Sequence, residues 1–231
     1  MNFNSIYKKF FLVVFSALYA TTYNVPSTQY PTIQSALSIA QDGDIVFVAS
    51  GTPANPITYT ENLLIETGVT LLSTGGYQST IIDGSNPADN MGSTITIRPA
   101  SGSPTFPQGI EISGFTITGG IGNSMNRDTP SGTVTRRIGG GIMVYNTSPK
   151  IKYNHIKGNG NSQTANGGGI IAVDSAEDWS FNDREWVYNE NLQPVTEDLD
   201  FSDNIFYANE AISAKSVFVD GFEQLSTNLS N

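Results

Sequence analysis

The chain has 231 residues, 38% apolar and only 14% charged, with 23 glycines, 11 prolines and no cysteine. This is enough apolar material for one sizeable core, and the turn-rich, charge-poor balance suits an all-β domain held by burial and stacking without disulfides. A formal charge of −10 argues against nucleic acid as a partner, because neutralising phosphates requires a basic face.

Residues 1–20 read as an export signal: Lys8-Lys9, an apolar run from Phe10 to Leu18, and the small Ala20 as the last residue removed, although Leu18 departs from the small-x-small rule. The run is short for a bilayer span, so the expectation is a secreted or cell-surface protein with no membrane insertion once the signal is gone. Removing Lys8 and Lys9 takes the charge to −12. Residues 21–43 form an N-terminal segment with one helical stretch over 30–43, opened by Pro31-Thr32, with Ile33, Leu37 and Ala40 on one face and Asp42-Gly43 at its close. Such a helix, placed before a first strand over Asp44–Ala49, would cap an open end of stacked apolar side chains.

From Ile45 the chain is a series of short apolar bursts around Leu64, Leu71, Ile81, Ile95 and Ile112, each bracketed by turn residues. Alternation in Thr94-Ile95-Thr96-Ile97 and Phe115-Thr116-Ile117-Thr118 places isoleucine inward and leaves threonine on a wet face. The phrase Gly139-Gly140-Gly141-Ile142 returns at Gly167-Gly168-Gly169-Ile170, a spacing of 28 residues. GFTITGG from Gly114 aligns with NHIKGN from Asn154 and NIFYAN from Asn204 when Ile117, Ile156 and Phe206 are superposed. Repeats of this length with short strands and no intervening helix predict a parallel β-helix, a solenoid spanning 44–231, of roughly six coils of about 22 residues. Asparagine at the recurring corner fits side-chain amides stacked from coil to coil, or a plain turn former.

Two inserts interrupt the coils. The first, 121–138, is polar and carries Arg127, Arg136 and Arg137; the second, 175–200, holds both tryptophans and eight acids against one base. Connections beyond about 12–15 residues are usually functional or disordered. Trp179, Phe181, Trp186 and Tyr188 could stack on sugar rings while carboxylates bond hydroxyls. Alternatively Asp178, Asp183 and Glu185 could supply oxygen ligands to calcium, or the loop could tuck its aromatics onto the coil flank with its acids in solvent.

The run YPTIQSALSIAQDGDIVFVASG, followed by TYTENLLI, VTLLS and STIIDGS, resembles the opening coils of secreted right-handed parallel β-helix proteins of the pectin-lyase-like superfamily. The GFTITGG and GGGI phrases look like coils of bacterial surface proteins of that group. The resemblance covers residues 28–173 and 200–219, and implies a fold more than an activity. Tyr59-Thr60-Glu61-Asn62 matches part of a pectin methylesterase stretch, but the catalytic patterns of esterases, polygalacturonases and pectate lyases have no counterpart, and Lys150, Lys152 and Lys157 show no acidic cluster at coil spacing. No catalytic residue is assigned. His155, the one histidine, aligns with Phe115 and Asn204 at a corner and reads as a turn or surface residue; Asp83 reads as a turn residue before Gly84.

The chain stops just after a strand at Val217–Val219 with no cap, which reads as an incomplete coil stack open to end-to-end self-association. The expected role is binding or scaffolding toward extracellular polysaccharide. The alternatives are a polysaccharide lyase, glycoside hydrolase or pectin esterase, and a purely structural adhesin segment.

Overall fold

A computed structural model describes residues 20–87, 90–173, 179–182, 199–220 and 225–226. The predicted export signal, apart from Ala20, lies outside them.

Runs rich in β-branched residues form short strands wherever glycine, asparagine or proline bounds them. The chain opens with β1 (Thr22–Val25) and α1 (Ile33–Leu37). It continues through β2 (Ile45–Val48), β3 (Ile57–Thr60), β4 (Leu63–Ile65), β5 (Thr70–Ser73), β6 (Thr80–Asp83) and β7 (Ile95–Ile97). Next come β8 (Glu111–Ser113), β9 (Thr116–Thr118), β10 (Asn123–Thr129), β11 (Gly132–Ile138), β12 (Ile142–Tyr145), β13 (Lys150–Lys152) and β14 (His155–Lys157). The remainder are β15 (Thr164–Asn166), β16 (Ile170–Val173), β17 (Trp179–Phe181), β18 (Leu199–Asp200), β19 (Ile205–Tyr207), β20 (Val217–Asp220) and β21 (Leu225–Ser226).

Three sheets are wholly parallel: sheet 1 in the order β1-β2-β5-β8-β13-β18-β21, sheet 2 in the order β3-β6-β9-β14-β19, and sheet 3 in the order β4-β7-β12-β16-β20. Between β2 and β20 the chain visits sheets 1, 2 and 3 in turn, completing the cycle five times. The register follows the sequence repeats: Ile142 pairs with Ile170, and Ile156 lies between Ile117 and Phe206. The step between paired strands is less regular than expected, from 23 residues between Ile57 and Thr80 to 50 between Lys150 and Asp200. The extra residues lie between the paired strands, which stay in parallel register.

Identical inward positions stack into one core. Leu63, Ile95, Ile142 and Ile170 form one buried file, Ile65, Ile97, Val144 and Ala172 another, and Leu71, Ile112 and Ile151 a third. Each isoleucine removed from water contributes roughly 1.5–3 kcal/mol. The corners are polar and equally ordered. Asn154 Oδ1 accepts the Phe115 N–H at 3.0 Å, and its side-chain NH2 donates to Asn204 Oδ1 at 3.2 Å. One corner along, Asn159 repeats the pattern between Gly120 and Asn209. The asparagines are therefore amide ladders and not merely turn formers. At the glycine corner, the N–H groups of Gly140, Gly141 and Ile142 donate to the carbonyls of Gly167, Gly168 and Gly169 at 3.0, 3.0 and 2.8 Å. A Cβ on Gly140 would collide with the backbone of Gly168 and Gly160, so this corner admits no side chain there.

The N-terminal region differs from expectation in two ways. The first strand is β1, built on Thr22, Tyr23 and Val25 and paired in parallel with β2. The helix has five residues, Ile33–Leu37, because beyond Ser38 the chain turns to bring the Gln41 N–H onto the Asp44 carboxylate. Thr32 and Ser35 form a capping box, and the Glu61 carboxylate accepts the N–H groups of Ile33 and Gln34 at 3.0 and 2.9 Å. Glu61, which the resemblance associated with an esterase stretch, thus holds the start of α1. The Gln34 amide bonds both backbone groups of Leu64, accepting its N–H at 2.8 Å and donating to its carbonyl at 3.2 Å. That side chain occupies the position a neighbouring strand would take against β4. Gln34→Ala is expected to cost about 1–2 kcal/mol, read in urea denaturation as a lower midpoint at unchanged slope; an unchanged midpoint would mean that β4 does not depend on this edge contact.

Candidate functional site: a sheet laid over sheet 3

The two inserts come together. The first is no irregular loop but an antiparallel hairpin, with β10 and β11 paired from Asn123 opposite Ile138 to Thr129 opposite Gly132. Cross-strand side chains reinforce it: the Thr135 hydroxyl donates to Asn126 Oδ1 at 2.9 Å and the Thr133 hydroxyl to Asp128 Oδ1 at 2.6 Å. From the second insert, β17 adds antiparallel to β10 with Met125 opposite Phe181 and Arg127 opposite Trp179. On the other side, β15 pairs in parallel with β11. The resulting outer sheet has the order β15-β11-β10-β17.

One face of the outer sheet covers the outward face of sheet 3. Met125, Ile138 and Phe181 pack with Met143, Tyr145, Ile171 and Val173 in a second core. This overturns the expected wet threonine face on these strands: Thr94 and Thr96 are buried, and the Asn123 side chain donates to the Thr96 hydroxyl at 2.8 Å. A four-stranded cover, absent from the strand alternation itself, makes both faces of β7, β12 and β16 interior.

Phe181, proposed above as a sugar platform, belongs to this second core. It is 6% exposed, lies edge-to-face with Tyr145 at 5.3 Å, and has the Arg98 guanidinium 4.7 Å from its ring centre. Arg98 also pairs with Glu66 at 3.1 Å. Trp179 occupies the edge strand opposite Arg127. Trp186, Tyr188, Asp178, Asp183 and Glu185 lie outside the described residues. Among the described residues no three histidine, aspartate or glutamate side chains converge as a metal site.

At the other end of the outer sheet, a cleft of about 540 Å³ is lined by Ser124, Thr135, Arg136, Arg137, Gln163, Ala165, Asn166 and Ile212. Two guanidinium groups, two carboxamides and two hydroxyls meet there, with the 76% exposed Ile212 as an apolar wall. Arg136 donates to the Thr135 carbonyl and Arg137 to the Gly122 carbonyl, and neither makes an ion pair with a described residue. Gln163, Asn166 and Ile212 carried no signal in the sequence, because β15 and the Ile212 segment reach the hairpin only through long-range pairing: the Ile212 N–H donates to the Thr164 carbonyl at 2.8 Å.

Other ionisable groups sit on or beside the parallel strands. Lys150 stands in register between Glu111 and Asp200, and Lys152 Nζ lies 2.6 Å from Asp200, so single acids occur at strand spacing beside these lysines without forming a cluster among the described residues. Burial pushes the Asp200 carboxyl upward, but hydrogen bonds from Lys152 and Ser202 outweigh it and hold the group below the usual carboxylate range. Its hydrogen bond to Asp200 raises Lys152, which therefore stays protonated and is unsuited to taking a proton from a sugar. His155 is not at the corner; it lies inside β14 opposite Thr116 and Ile205, edge-on to Tyr77 at 5.9 Å. Burial and the charge of Lys157 hold it below the ordinary histidine value. Asp83 ends β6 and accepts the Ser85 N–H at 3.0 Å, the turn role expected of it. Comparison with known proteins finds no matching family model, no matching curated protein and no matching solved structure.

Proposed function

We propose that this chain is an exported right-handed parallel β-helix of the pectin-lyase-like kind, capped at its N-terminal end by α1, which binds or scaffolds extracellular polysaccharide through its outer sheet. The cyclic order of the three parallel sheets and the amide ladders favour the solenoid reading. Among the described residues no helix is long and apolar enough to cross a membrane.

The observation that carries the binding reading is the open cleft between β10, β11 and β15. Sugar hydroxyls both donate and accept, and a specific polar site orients them with a few convergent groups beside an apolar wall. Gln163, Asn166, Ser124 and Thr135 supply those groups, and Ile212 the wall. The tryptophan-bearing insert joins the same sheet through β17, so a long polymer could touch both.

The test is retention on immobilised polysaccharide. Gln163→Ala with Asn166→Ala, and separately Trp179→Ala with Trp186→Ala, are each expected to weaken retention about tenfold, equivalent to roughly 1.4 kcal/mol. Unchanged retention in both double variants would remove the outer sheet as the binding surface. The absence of retention of the parent protein on any acidic or neutral glycan would remove polysaccharide binding altogether.

A further inference from the structure

We propose that removal of residues 1–20, by cleavage between Ala20 and Thr21, creates an α-ammonium group on Thr21 that ion-pairs with the buried Asp44 carboxylate and locks β1 against β2. The inference rests on the export reading above, and adds to it a structural consequence of processing.

Asp44 is 6% exposed. It accepts the Thr21 N–H at 2.7 Å, the Gln41 N–H at 2.9 Å and the Tyr23 hydroxyl at 3.3 Å. These partners, and the Thr21 side chain that also bonds the carboxylate, are neutral, and among the described residues no lysine or arginine pairs with it. A carboxylate taken out of water without a counter-charge is costly. The backbone nitrogen already nearest to it is the one that cleavage after Ala20 would charge.

The surroundings suit both the cut and the product. Ala20 and Thr21 are exposed, and both line an open cleft of about 350 Å³ with Tyr23, Gln41, Asp42, Gly43 and Asp44. The Thr21 carbonyl accepts the Ile45 N–H at 2.9 Å, and the paired strand begins at the next residue, so the bond to be cut sits just outside the first strand. Asp42, the other acid in the cleft, accepts the Gly68 N–H at 2.7 Å. A leader-processing protease adds water across the Ala20–Thr21 amide. Ala20 leaves as a carboxylate and the Thr21 nitrogen, taking up protons, becomes an ammonium. An opposite charge at hydrogen-bond distance favours that charged form, and the existing geometry needs no rearrangement to accept it.

The first measurement is the N-terminal sequence of the exported protein, expected to begin at Thr21. A chain starting at Thr21 is then compared with the same chain acetylated on its α-nitrogen, which keeps an N–H and removes the charge. Acetylation is expected to lower the melting temperature by at least about 3 °C, and to have little effect in an Asp44→Asn background. The Thr21 amine should also label about tenfold more slowly in the native protein than in a free peptide of the same sequence, a readout that survives if Asp44→Asn fails to fold. A product that begins at another residue, or an acetylated chain as stable as the free amine, would overturn the ion pair while leaving export intact. Retention of residues 1–20 on the mature protein would overturn both.

Discussion

Asn159→Ala is expected to destabilise the protein by about 3 kcal/mol, lowering the melting temperature by roughly 6–12 °C for a chain of this size. The side chain is fully buried, and each polar atom is used: Oδ1 accepts the Gly120 N–H at 3.2 Å, and the NH2 group donates to Ile117 O, Lys157 O and Asn209 Oδ1 at 2.9, 3.2 and 3.1 Å. Truncation strips the Gly120 N–H of its acceptor and removes a donor from Asn209 in an interior that water does not reach. The expense of an unmade buried hydrogen bond exceeds the gain of a made one. Asn161→Ala, at a turn near the surface, serves as the control. If the two variants melt within about 2 °C of each other, the amide ladder is a passenger of the stacking and not a source of it.

Phe181→Ala should cost about 3–5 kcal/mol, but with a different signature. The ring fills the second core between Tyr145 and Arg98, and its loss opens a cavity under the outer sheet while the files of isoleucine inside sheets 1–3 remain intact. The amides of β10 and β17 should therefore exchange faster in hydrogen–deuterium experiments, while those of β12 and β16 hold their protection. Phe181→Leu, which fills most of the space, should recover most of the loss. Uniform acceleration in all four strands would show that the outer sheet and the three parallel sheets unfold as one cooperative unit. Retained protection throughout would show that the second core contributes little.

The stacked sheets were legible because their information is local and repeated. Ile117, Ile156 and Phe206 sit in matching phrases, and matching phrases pair. The outer sheet was not, since it depends on contacts with no local signature. The hairpin alternates weakly, with Met125 and Ile138 as its buried anchors, and β17 is a three-residue strand that joins it from the other insert. Thr96 looked like a surface residue for the same reason: its strand carries the right alternation, and only a distant segment makes the outer face dry. The helix was legible in place but not in length, because the Asp44 carboxylate draws the chain into a turn where Ala40 still continued the apolar face. The cleft residues Gln163, Asn166 and Ile212 are ordinary in sequence and come together only through position. The charged partner of Lys152 was missed because Asp200 lies 48 residues away, at the far end of the second insert.

The order of pairing also bears on how such a chain acquires its shape. From β5 onward each strand of sheets 1–3 bonds to one that precedes it in the chain, and β17 likewise joins the earlier β10. A chain that emerges with its N-terminal end first, as it does in synthesis, thus meets, at every step, a template already formed behind it. Assembly can run in one direction without waiting for the last residue. The slow search for distant partners that burdens most β-proteins is replaced by repeated short searches against a growing edge.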